Sequence, residues 1–429
     1  MKRKIYLLLL AIAYMCIMPI PAEAQFLKKL GQALETIAKT GDNSNSQSAS
    51  PSKSSGKSKP RYTIHETANT KKMTIRGGAS KLCPFSCGVA LVNPRYGQWF
   101  VIDKQGNKLF ELPQGYSPRG ETFDNGRLMI TSSTDLMSDW NIRIIDTKGQ
   151  IIKDFGKVKS TSSIIDGVAR ITLYERSQKK TIYVDSNGNI LSRTLPASKL
   201  FRLHDGLRIF GHDTGLSTTG PWGFCDAKCN IVIPAQFKNV DDFHNGLAAV
   251  QTNDGLWGFI DKTGHWVIQP QFSNFPSGFE GPYSMVKDKS GRTYFMNKQG
   301  EFVWKEGDNT NIDIRRFMSN GYAIWTFDGA RNTALVNSTF KVFAMINTDD
   351  MAFGNGEIVS YNENYFQWKW NNLGHINRLV DWNGISLLEF GGDEVFSDGI
   401  CSTWEDNIGN KFYFNDKGEV IIKFEDTQF

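Results

Sequence analysis

The chain has 429 residues, a formal net charge of +5, and a composition in which 40% of residues are hydrophobic and 22% are charged. The charge is small for this length, and the repeats contain no Lys/Arg cluster interleaved with aromatic residues, so a nucleic-acid-binding role is not supported. Beyond the N-terminal region no uninterrupted apolar stretch reaches about 18 residues, which argues against a membrane-spanning segment in the remaining chain.

The N-terminus has the pattern of a secretory signal. Cationic residues at positions 2–4 precede an apolar run at 5–18, and Ala22-Glu23-Ala24 supplies the small residues of a cleavage site. The run is too short for a spanning helix, and the residues before Cys16 match a lipoprotein processing site poorly. We therefore expect residues 1–24 to be a signal peptide and the mature chain to be exported to the periplasm, the cell surface or the medium.

Two segments of different character follow the predicted signal peptide. Residues 25–41 are predicted to form a short amphipathic helix, for which packing on the rest of the chain is favoured over binding to a partner or a membrane surface. Its apolar face consists of Phe26, Leu27, Leu30, Ala33, Leu34 and Ile37. Residues 42–60 are dominated by Ser, Asn, Lys and Gly and are predicted to be a flexible linker.

Residues 61–81 are predicted to form a hairpin. Between Tyr62 and Ile75, apolar and polar residues alternate in two runs. We expect this hairpin to cap the first edge of the array that follows, because an open array exposes unpaired strand edges.

Residues 82–429 are predicted to be a β-repeat array of about nine units. Each unit begins with an apolar residue, one or two polar residues, a Gly and then alternating apolar residues. The signature glycines recur at intervals of about 40 residues, a period typical of arrayed supersecondary units. They are Gly88, Gly126, Gly167, Gly206, Gly246, Gly281, Gly321, Gly356 and Gly399.

A second signature consists of an aromatic and an apolar residue, Asp, two further residues, Gly, one further residue and two apolar residues. Alternating apolar residues on both sides indicate two strands; the Asp accepts from backbone amides in the turn, and the Gly supplies a positive φ. The aspartates are Asp103, Asp146, Asp185, Asp226 and Asp261. Because they recur once per unit, they are predicted to cap hairpin turns rather than to act in catalysis.

Trp222-Gly223-Phe224 and Trp257-Gly258-Phe259 resemble the repeat of the WG-repeat (KWG-type) family of bacterial β-repeat proteins. The resemblance covers about Leu82 to Phe424, and the Trp-Gly dipeptide is altered or absent in the flanking units. It implies tandem β-rich repeats and no established catalytic residues.

Each unit is predicted to supply three strands and a connector that often contains Pro. Because the units outnumber the four to eight blades usual in propellers, and three strands are one fewer than a blade has, the expected fold is all-β, an open or curved β-solenoid. Propeller-like closure is the alternative. Tryptophans that recur at one place in the unit are predicted to form the core shared by neighbouring units: Trp99, Trp140, Trp222 and Trp257.

Four cysteines form two Cys-x-x-x-Cys pairs, Cys83 with Cys87 and Cys225 with Cys229, and each pair is a candidate for a local disulfide. Cys229 occupies the position of the hairpin Gly, so a disulfide with Cys225 would staple that turn, and disulfides persist in exported proteins. Free thiols and a four-thiolate zinc site are the alternatives, and zinc is disfavoured because the pairs lie about three repeats apart. Cys401 is predicted to be a buried apolar residue.

The sequence contains no motif typical of catalysis or cofactor binding. Its six histidines include no pair at metal-ligand spacing, and no nucleophile elbow, phosphate loop or dinucleotide-binding Gly pattern occurs. His204 and His244 occupy equivalent positions in two units and are predicted to be surface positions of the repeat rather than part of a site. We expect no enzyme activity, no cofactor and no metal.

One aromatic strand is the best candidate for a ligand-binding surface. On a strand, Phe366, Trp368 and Trp370 share one face. Burial in the core is favoured, and an exposed platform for carbohydrate is the alternative. The predicted function is an exported, non-enzymatic scaffold that binds an unknown protein or cell-envelope polymer, with a carbohydrate-binding module as the alternative.

Overall fold

The computed structural model describes residues 60–427 apart from the gaps 134–138, 176–177, 194, 196, 198, 212–220, 289, 306–311, 315–316, 328–331, 341, 347–355, 371–375, 383–384, 392–394 and 404–410. The predicted signal peptide, amphipathic helix and all but the last residue of the linker lie outside the described residues. The described residues form strands β1–β35. Within them, no helix has the length and apolar character needed to cross a bilayer.

The strands of the described residues pair into nine small sheets, here numbered units 1–9 in chain order. β1 (His65–Ile75) belongs to unit 9. Unit 1 contains β2 (Ala79–Leu82), β3 (Val89–Pro94), β4 (Phe100–Asp103) and β5 (Lys108–Glu111). Unit 2 contains β6 (Ser117–Pro118), β7 (Arg127–Ser133), β8 (Trp140–Asp146) and β9 (Ile151–Val158). Unit 3 contains β10 (Ser160–Thr161), β11 (Val168–Glu175), β12 (Gln178–Asp185) and β13 (Ile190–Ser192). Unit 4 contains β14 (Lys199–His204), β15 (Leu207–Gly211), β16 (Trp222–Asp226) and β17 (Ile231–Phe237). Unit 5 contains β18 (Asn239–Val240), β19 (Leu247–Gln251), β20 (Trp257–Asp261) and β21 (Trp266–Phe272). Unit 6 contains β22 (Ser284–Lys287), β23 (Thr293–Met296) and β24 (Phe302–Lys305). Unit 7 contains β25 (Ile312–Ile314), β26 (Tyr322–Phe327), β27 (Asn332–Asn337) and β28 (Val342–Ile346). Unit 8 contains β29 (Gly356–Tyr361), β30 (Tyr365–Trp370), β31 (Ile376–Asp381) and β32 (Ser386–Gly391). Unit 9 contains β1 together with β33 (Ile400–Thr403), β34 (Lys411–Asn415) and β35 (Glu419–Asp426).

Apart from unit 9, which includes the parallel strand β1, each four-stranded unit is an antiparallel meander whose strands we call A to D in chain order. Units 6 and 9 begin with their B strand, β22 and β33. In units 2, 3 and 5 strand A is two residues long. Three strands per unit were expected from the sequence because a two-residue strand leaves no detectable alternation.

The first signature forms a two-residue hairpin between strands A and B. In unit 5, His244 and Leu247 exchange backbone hydrogen bonds of 2.9 and 3.2 Å around Asn245 (φ 52°) and Gly246 (φ 90°). Two successive positive φ angles are the mark of a type I′ turn, whose twist matches that of the flanking strands. The same pair of angles occurs at Cys87-Gly88, Asn125-Gly126, Asp166-Gly167, Asp205-Gly206 and Asp398-Gly399.

The second signature forms the turn between strands C and D. Asp261 Oδ1 accepts hydrogen bonds from the backbone N–H groups of Thr263 (2.8 Å) and His265 (3.0 Å), and Gly264 has a φ of 89°. The carboxylates of the four other predicted aspartates accept the same two bonds. The predicted turn-capping role is confirmed.

The units close into a ring in the manner of a β-propeller, so the expected open solenoid is wrong and its alternative is right. Ser397 Oγ in unit 9 donates to Phe85 O in unit 1 (2.7 Å), and Tyr413 OH donates to Cys83 O (2.6 Å). One buried cluster joins the two units: Leu82, Phe85, Ala90, Val92, Phe100, Ile102, Ile400, Tyr413, Ile422 and Phe424. Because the last unit packs on the first, the array needs no terminal cap.

β1 is not the predicted capping hairpin of residues 61–81. Residues 65–75 form one strand that pairs in parallel with β35, on the last unit rather than on the first. The polar residues between the two apolar runs continue the strand through an irregularity between Glu66 and Lys71 instead of reversing its direction. Residues 79–82 are strand A of unit 1.

The four tryptophans predicted to form the core have different environments. Trp222 and Trp257 are buried, Trp99 is half-buried, and Trp140 is 38% exposed. The first three lie four residues before the turn aspartate of their unit, whereas Trp140 lies six residues before it. In unit 2 the equivalent position holds Ile142, which is fully buried. The prediction that Trp140 lies in the core is therefore wrong, because the buried position of this strand is two residues later, at Ile142.

Candidate functional site

The predicted aromatic platform is not accessible to a ligand. Phe366 and Trp368 are 0% and 1% exposed and pack against residues of unit 7, while the side chain of Trp370 lies outside the described residues. Their strand is strand B of unit 8, which pairs on both edges with neighbouring strands. A central strand of this kind buries its large side chains against the neighbouring sheets. The favoured burial in the core is confirmed for Phe366 and Trp368, and the carbohydrate-binding alternative loses these two residues of its platform.

Hydrogen bonds link the A–B turns of successive units at one end of the sheets. Asp124 Oδ1 accepts from the Gly167 N–H (2.8 Å), and Asp205 Oδ2 accepts from the Gly246 N–H (2.6 Å). In unit 1 the sulfur of Cys87 takes the acceptor position of these carboxylates. We call the linked hairpins the turn ring; its members are 87–88, 125–126, 166–167, 205–206, 245–246 and 398–399. Their polar side chains are therefore used to join units.

Beside the turn ring, the structure brings together two histidines for which the sequence predicted no common site. The rings of His204 and His244 have centroids 5.4 Å apart. His204 Nε2 lies 3.4 Å from Asp242 Oδ2, and His244 Nε2 lies 3.9 Å from Glu280 Oε1. The two histidines were predicted to be surface positions of the repeat rather than part of a site, and the structure makes them neighbours, because residues one repeat apart meet when units pack in register. Their equivalent positions in adjacent repeats were the available signal.

We call His204, His244, Asp242 and Glu280 the histidine cluster, in which one carboxylate oxygen of Asp242 is buried. Its Oδ1 atom is enclosed without a hydrogen-bond partner. Burial raises the pKa of its carboxyl, although the nearby His204 opposes that shift. Over the described part of the chain, no three His, Cys, Asp or Glu side chains are arranged to hold a metal ion together. The cluster brings two imidazole rings within 4 Å of two carboxylates.

The Cys225 and Cys229 side chains meet at the C–D turn of unit 4. Both residues are buried and carry free thiols. The hydrogen bond between them raises the pKa of Cys225 and lowers that of Cys229. Cys229 has a φ of 64°, in the region that Gly adopts in other units. The two sulfurs are adjacent, and the disulfide stays a prediction. In the other pair, Cys83 is buried and Cys87 is exposed.

A groove with aromatic walls lies between units 5 and 6. Its volume is about 270 Å³, and its lining consists of Gln271, Phe272, Ser273, Val286, Lys287, Asp288, Tyr294 and Phe302. The end of strand D in unit 5 provides one side, and strands B, C and D of unit 6 provide the other. We call this feature the unit 5–6 groove.

Phe302 is the prominent apolar residue of the unit 5–6 groove. It is 56% exposed, and its ring centroid lies 4.9 Å from that of Tyr294. It is the first residue of strand D, a position at which units 2, 3 and 4 carry exposed isoleucines. The groove was not predicted, because its residues come from four strands of two units. The Phe at this exposed repeat position was the only signal in the sequence.

Asp288 gives the unit 5–6 groove a fixed negative charge. Its carboxylate accepts hydrogen bonds from Ser290 Oγ (2.6 Å), the Arg292 N–H (3.0 Å) and Tyr294 OH (3.0 Å). These bonds, above all the one from Ser290, lower the pKa of Asp288 to about 2. The groove therefore presents aromatic faces beside an anion and the cation of Lys287.

Comparison with known proteins gives a family for the central units. The sequence model of the WG containing repeat family matches residues 222–255 and 257–291. These ranges begin at the two Trp-Gly dipeptides, so the resemblance is confirmed, and the chain contains WG repeats. No curated protein sequence matches the chain.

One solved structure shares the fold with a TM-score above 0.5. The crystal structure of a eukaryotic initiation factor matches with a TM-score of 0.51 and 12% sequence identity, over 78% of this chain and 95% of that chain. BamB from Moraxella catarrhalis matches with a TM-score of 0.33 and 12% identity, over 71% of this chain and 92% of that chain. Likeness at this identity shows the fold alone, and the second match is too weak to carry an argument.

Proposed function

We propose that the chain is an exported, non-catalytic propeller scaffold that binds a protein partner through the unit 5–6 groove. The observation that carries the proposal is the exposure of Phe302 beside Tyr294 at the mouth of this cavity. An exposed aromatic side chain next to a cavity is suited to anchoring an apolar side chain of a partner, since aromatic residues dominate the binding energy of protein interfaces.

The frame around the unit 5–6 groove supports this role. Gly300 at the C–D turn of unit 6 faces Ile268 in strand D of unit 5, where a Cβ on the glycine would lie 3.6 Å from Ile268 Cγ1, so the two units approach each other closely. Phe275, just beyond the groove, is 57% exposed and contacts Trp257 edge-on at 4.9 Å between centroids. Aromatic residues held on strands lose little conformational freedom when a partner binds. The groove is therefore preorganised for contact.

The charges beside the aromatic residues favour a protein segment with polar as well as apolar side chains. Asp288 stays ionised because its pKa is about 2, and Lys287 precedes it. Such a pair can orient a partner through charge complementarity while the aromatic faces supply affinity.

The experiment is affinity capture with three immobilised mature chains: the parent, Phe302→Ala, and the control Tyr96→Ala. Tyr96 is 61% exposed and lies in unit 1, remote in sequence from the groove. We expect a protein from envelope extract to be retained by the parent and the control and to be lost with Phe302→Ala. With the purified partner, the Phe302→Ala variant should bind about tenfold or more weakly.

Two results would contradict this proposal. Retention of the partner by Phe302→Ala would place the contact elsewhere, and retention of a protease-resistant polysaccharide alone would favour an envelope polymer as the ligand. Circular dichroism of each variant distinguishes lost contact from lost folding.

Export is the part of the proposal that rests on the sequence of residues 1–24. The expected product is a mature chain beginning at Gln25 in the exported fraction. N-terminal sequencing of protein recovered from separated cell fractions tests it, and an uncleaved chain in the cytoplasmic fraction would contradict it. The oxidising environment outside the inner membrane would also favour the disulfide between Cys225 and Cys229.

A further inference from the structure

We propose that the outer edge of β35 is a strand-addition site, which β1 occupies within one chain and which β1 of a second copy can fill. Exchange of β1 between two copies gives a dimer in which each copy completes unit 9 of the other. The interaction surface is a sheet edge, and its occupant is a segment of the same sequence.

β1 is attached to its sheet differently from the other strands that the structure describes. Its pairing with β35 is parallel, whereas the remaining strand pairs of the described residues are antiparallel, such as β34 with β35. It also lies on the strand D side of unit 9, the side at which the other sheets end. The edge of strand D in this fold can therefore accept an added strand, in the manner of β-augmentation.

Backbone pairing and matched charges hold β1 more than burial does. None of its residues is buried, and Met73 and Ile75 only partly cover the cluster between units 1 and 9. Lys423 Nζ lies 2.6 Å from Glu66 Oε1, and Lys72 Nζ lies 3.0 Å from Glu425 Oε1. The outward charges of β35 thus select a strand with the charges of β1. A second copy carries that same strand.

The connection between β1 and unit 1 is short. Arg76-Gly77-Gly78 joins Ile75 to Ala79, and both glycines have positive φ, 74° and 72°. A Cβ built on Gly77 would lie 2.6 Å from an atom of the Tyr96 ring. Short hinges in conformations that few residues tolerate favour exchange of a terminal element, because the extended hinge of the dimer abolishes the turn.

Contacts outside β1 also close the ring. Tyr413 OH bonds Cys83 O and Ser397 Oγ bonds Phe85 O, which joins units 9 and 1 directly. Departure of β1 therefore leaves these contacts in place and the edge of β35 unpaired. An unpaired edge is a template for a strand from another chain.

Paired charge reversals test the exchange in the full mature chain. Glu66→Lys and Lys423→Glu each place like charges between β1 and β35 of the same chain. In an exchanged heterodimer of the two variants both strand pairs regain opposite charges, because the two substituted side chains meet in one pair and the native Glu66 and Lys423 meet in the other. Mixing differently tagged variants at high concentration, followed by native mass spectrometry, should give heterodimer in about tenfold or greater excess over either homodimer.

The double variant Glu66→Lys/Lys423→Glu is the matched control, because it restores opposite charges within one chain. It should show the same monomer–dimer distribution as the parent, and circular dichroism should show all four proteins folded. A mixture of the single variants that stays monomeric, or that dimerises without preference for the heterodimer, would overturn the proposal. The second result would mean that any dimer forms through a surface other than β1 and β35.

Discussion

Gly106 of unit 1 lies against Ile422 of unit 9, so closely that a Cβ on the glycine would be 3.1 Å from Ile422 Cγ1. A Cβ on Gly300 of unit 6 would meet Ile268 of unit 5 in the same way, at 3.6 Å. In both places the glycine of a C–D turn contacts strand D of the preceding unit. The interface between the two ends of the chain is therefore of the same kind as an interface between sequence neighbours.

Tyr413→Phe should weaken ring closure. Tyr413 is 1% exposed, and its hydroxyl donates to Cys83 O across the interface between units 9 and 1. Because the variant leaves a buried carbonyl without this donor, we expect the free energy of unfolding to fall by about 1–3 kcal/mol. Urea unfolding measures the change. The exposed control Tyr96→Phe should stay within about 0.5 kcal/mol of the parent, and equal stability of Tyr413→Phe and this control would contradict the prediction.

Trp257→Ala should lower the free energy of unfolding far more than Trp140→Ala does, although both residues precede a turn aspartate. Trp257 is 7% exposed and its removal leaves a cavity, which we expect to cost about 3–5 kcal/mol of unfolding free energy. Trp140 is 38% exposed, so its truncation should cost about 1 kcal/mol or less. Thermal and urea unfolding of the two variants provide the comparison. Similar losses would show that the register assigned to the two tryptophans is wrong.

Asp242→Asn should remove a pH-dependent loss of stability. Burial raises the pKa of Asp242 above 3.8, so the folded state binds the proton more tightly than the unfolded state does. The stability that this carboxyl contributes is complete below its unfolded pKa and is lost as pH rises through its raised folded pKa. The stability of the variant relative to the parent should therefore increase as pH rises above 3.8.

Urea unfolding at several pH values between about 3.5 and 6 measures this difference. Asp261→Asn is the matched control, because hydrogen bonds from Thr263 lower the pKa of Asp261 and the expected trend is the reverse. A pH-independent difference for Asp242→Asn would show that its carboxyl does not titrate differently in the folded state.

Cys225 and Cys229 should be joined by a disulfide in protein recovered from the exported fraction. Their side chains already contact each other, and oxidation by dithiol–disulfide exchange removes one hydrogen from each thiol and reduces the disulfide of the oxidant. Peptide mapping under non-reducing conditions checks the bond, and alkylation of both thiols without prior reduction would contradict it.

The same bond should contribute about 2 kcal/mol to stability by closing a short loop. Cys229→Gly is an informative control, because it places the usual residue of the C–D turn at a φ of 64°. Addition of a reductant should lower the melting temperature of the parent and leave that of Cys229→Gly unchanged. Equal responses of the two proteins to the reductant would show that this bond does not stabilise the fold.

Sites were harder to predict than turns. The role of Asp261 in its turn depends only on Asp261 and the four residues after it, so the local sequence pattern was sufficient to predict that role. Phe302 and Tyr294 form a groove only with strand D of another unit, and His204 meets His244 only across a unit interface. Spacing within a single unit gives no information about such contacts, although equivalent positions in adjacent repeats do.

The repeat, its period and the chemistry of both turns follow from the amino-acid sequence, because each depends on residues a few positions apart. Closure of the array, the pairing of β1 with the last unit and the burial of Trp368 are properties of the packed fold. Closure depends on the small rotation between neighbouring units summed over the whole array, and that rotation is set by side-chain packing at every interface. A local pattern predicts the shape of one unit, whereas the partner of Gly106 or of β1 depends on the positions of all the others.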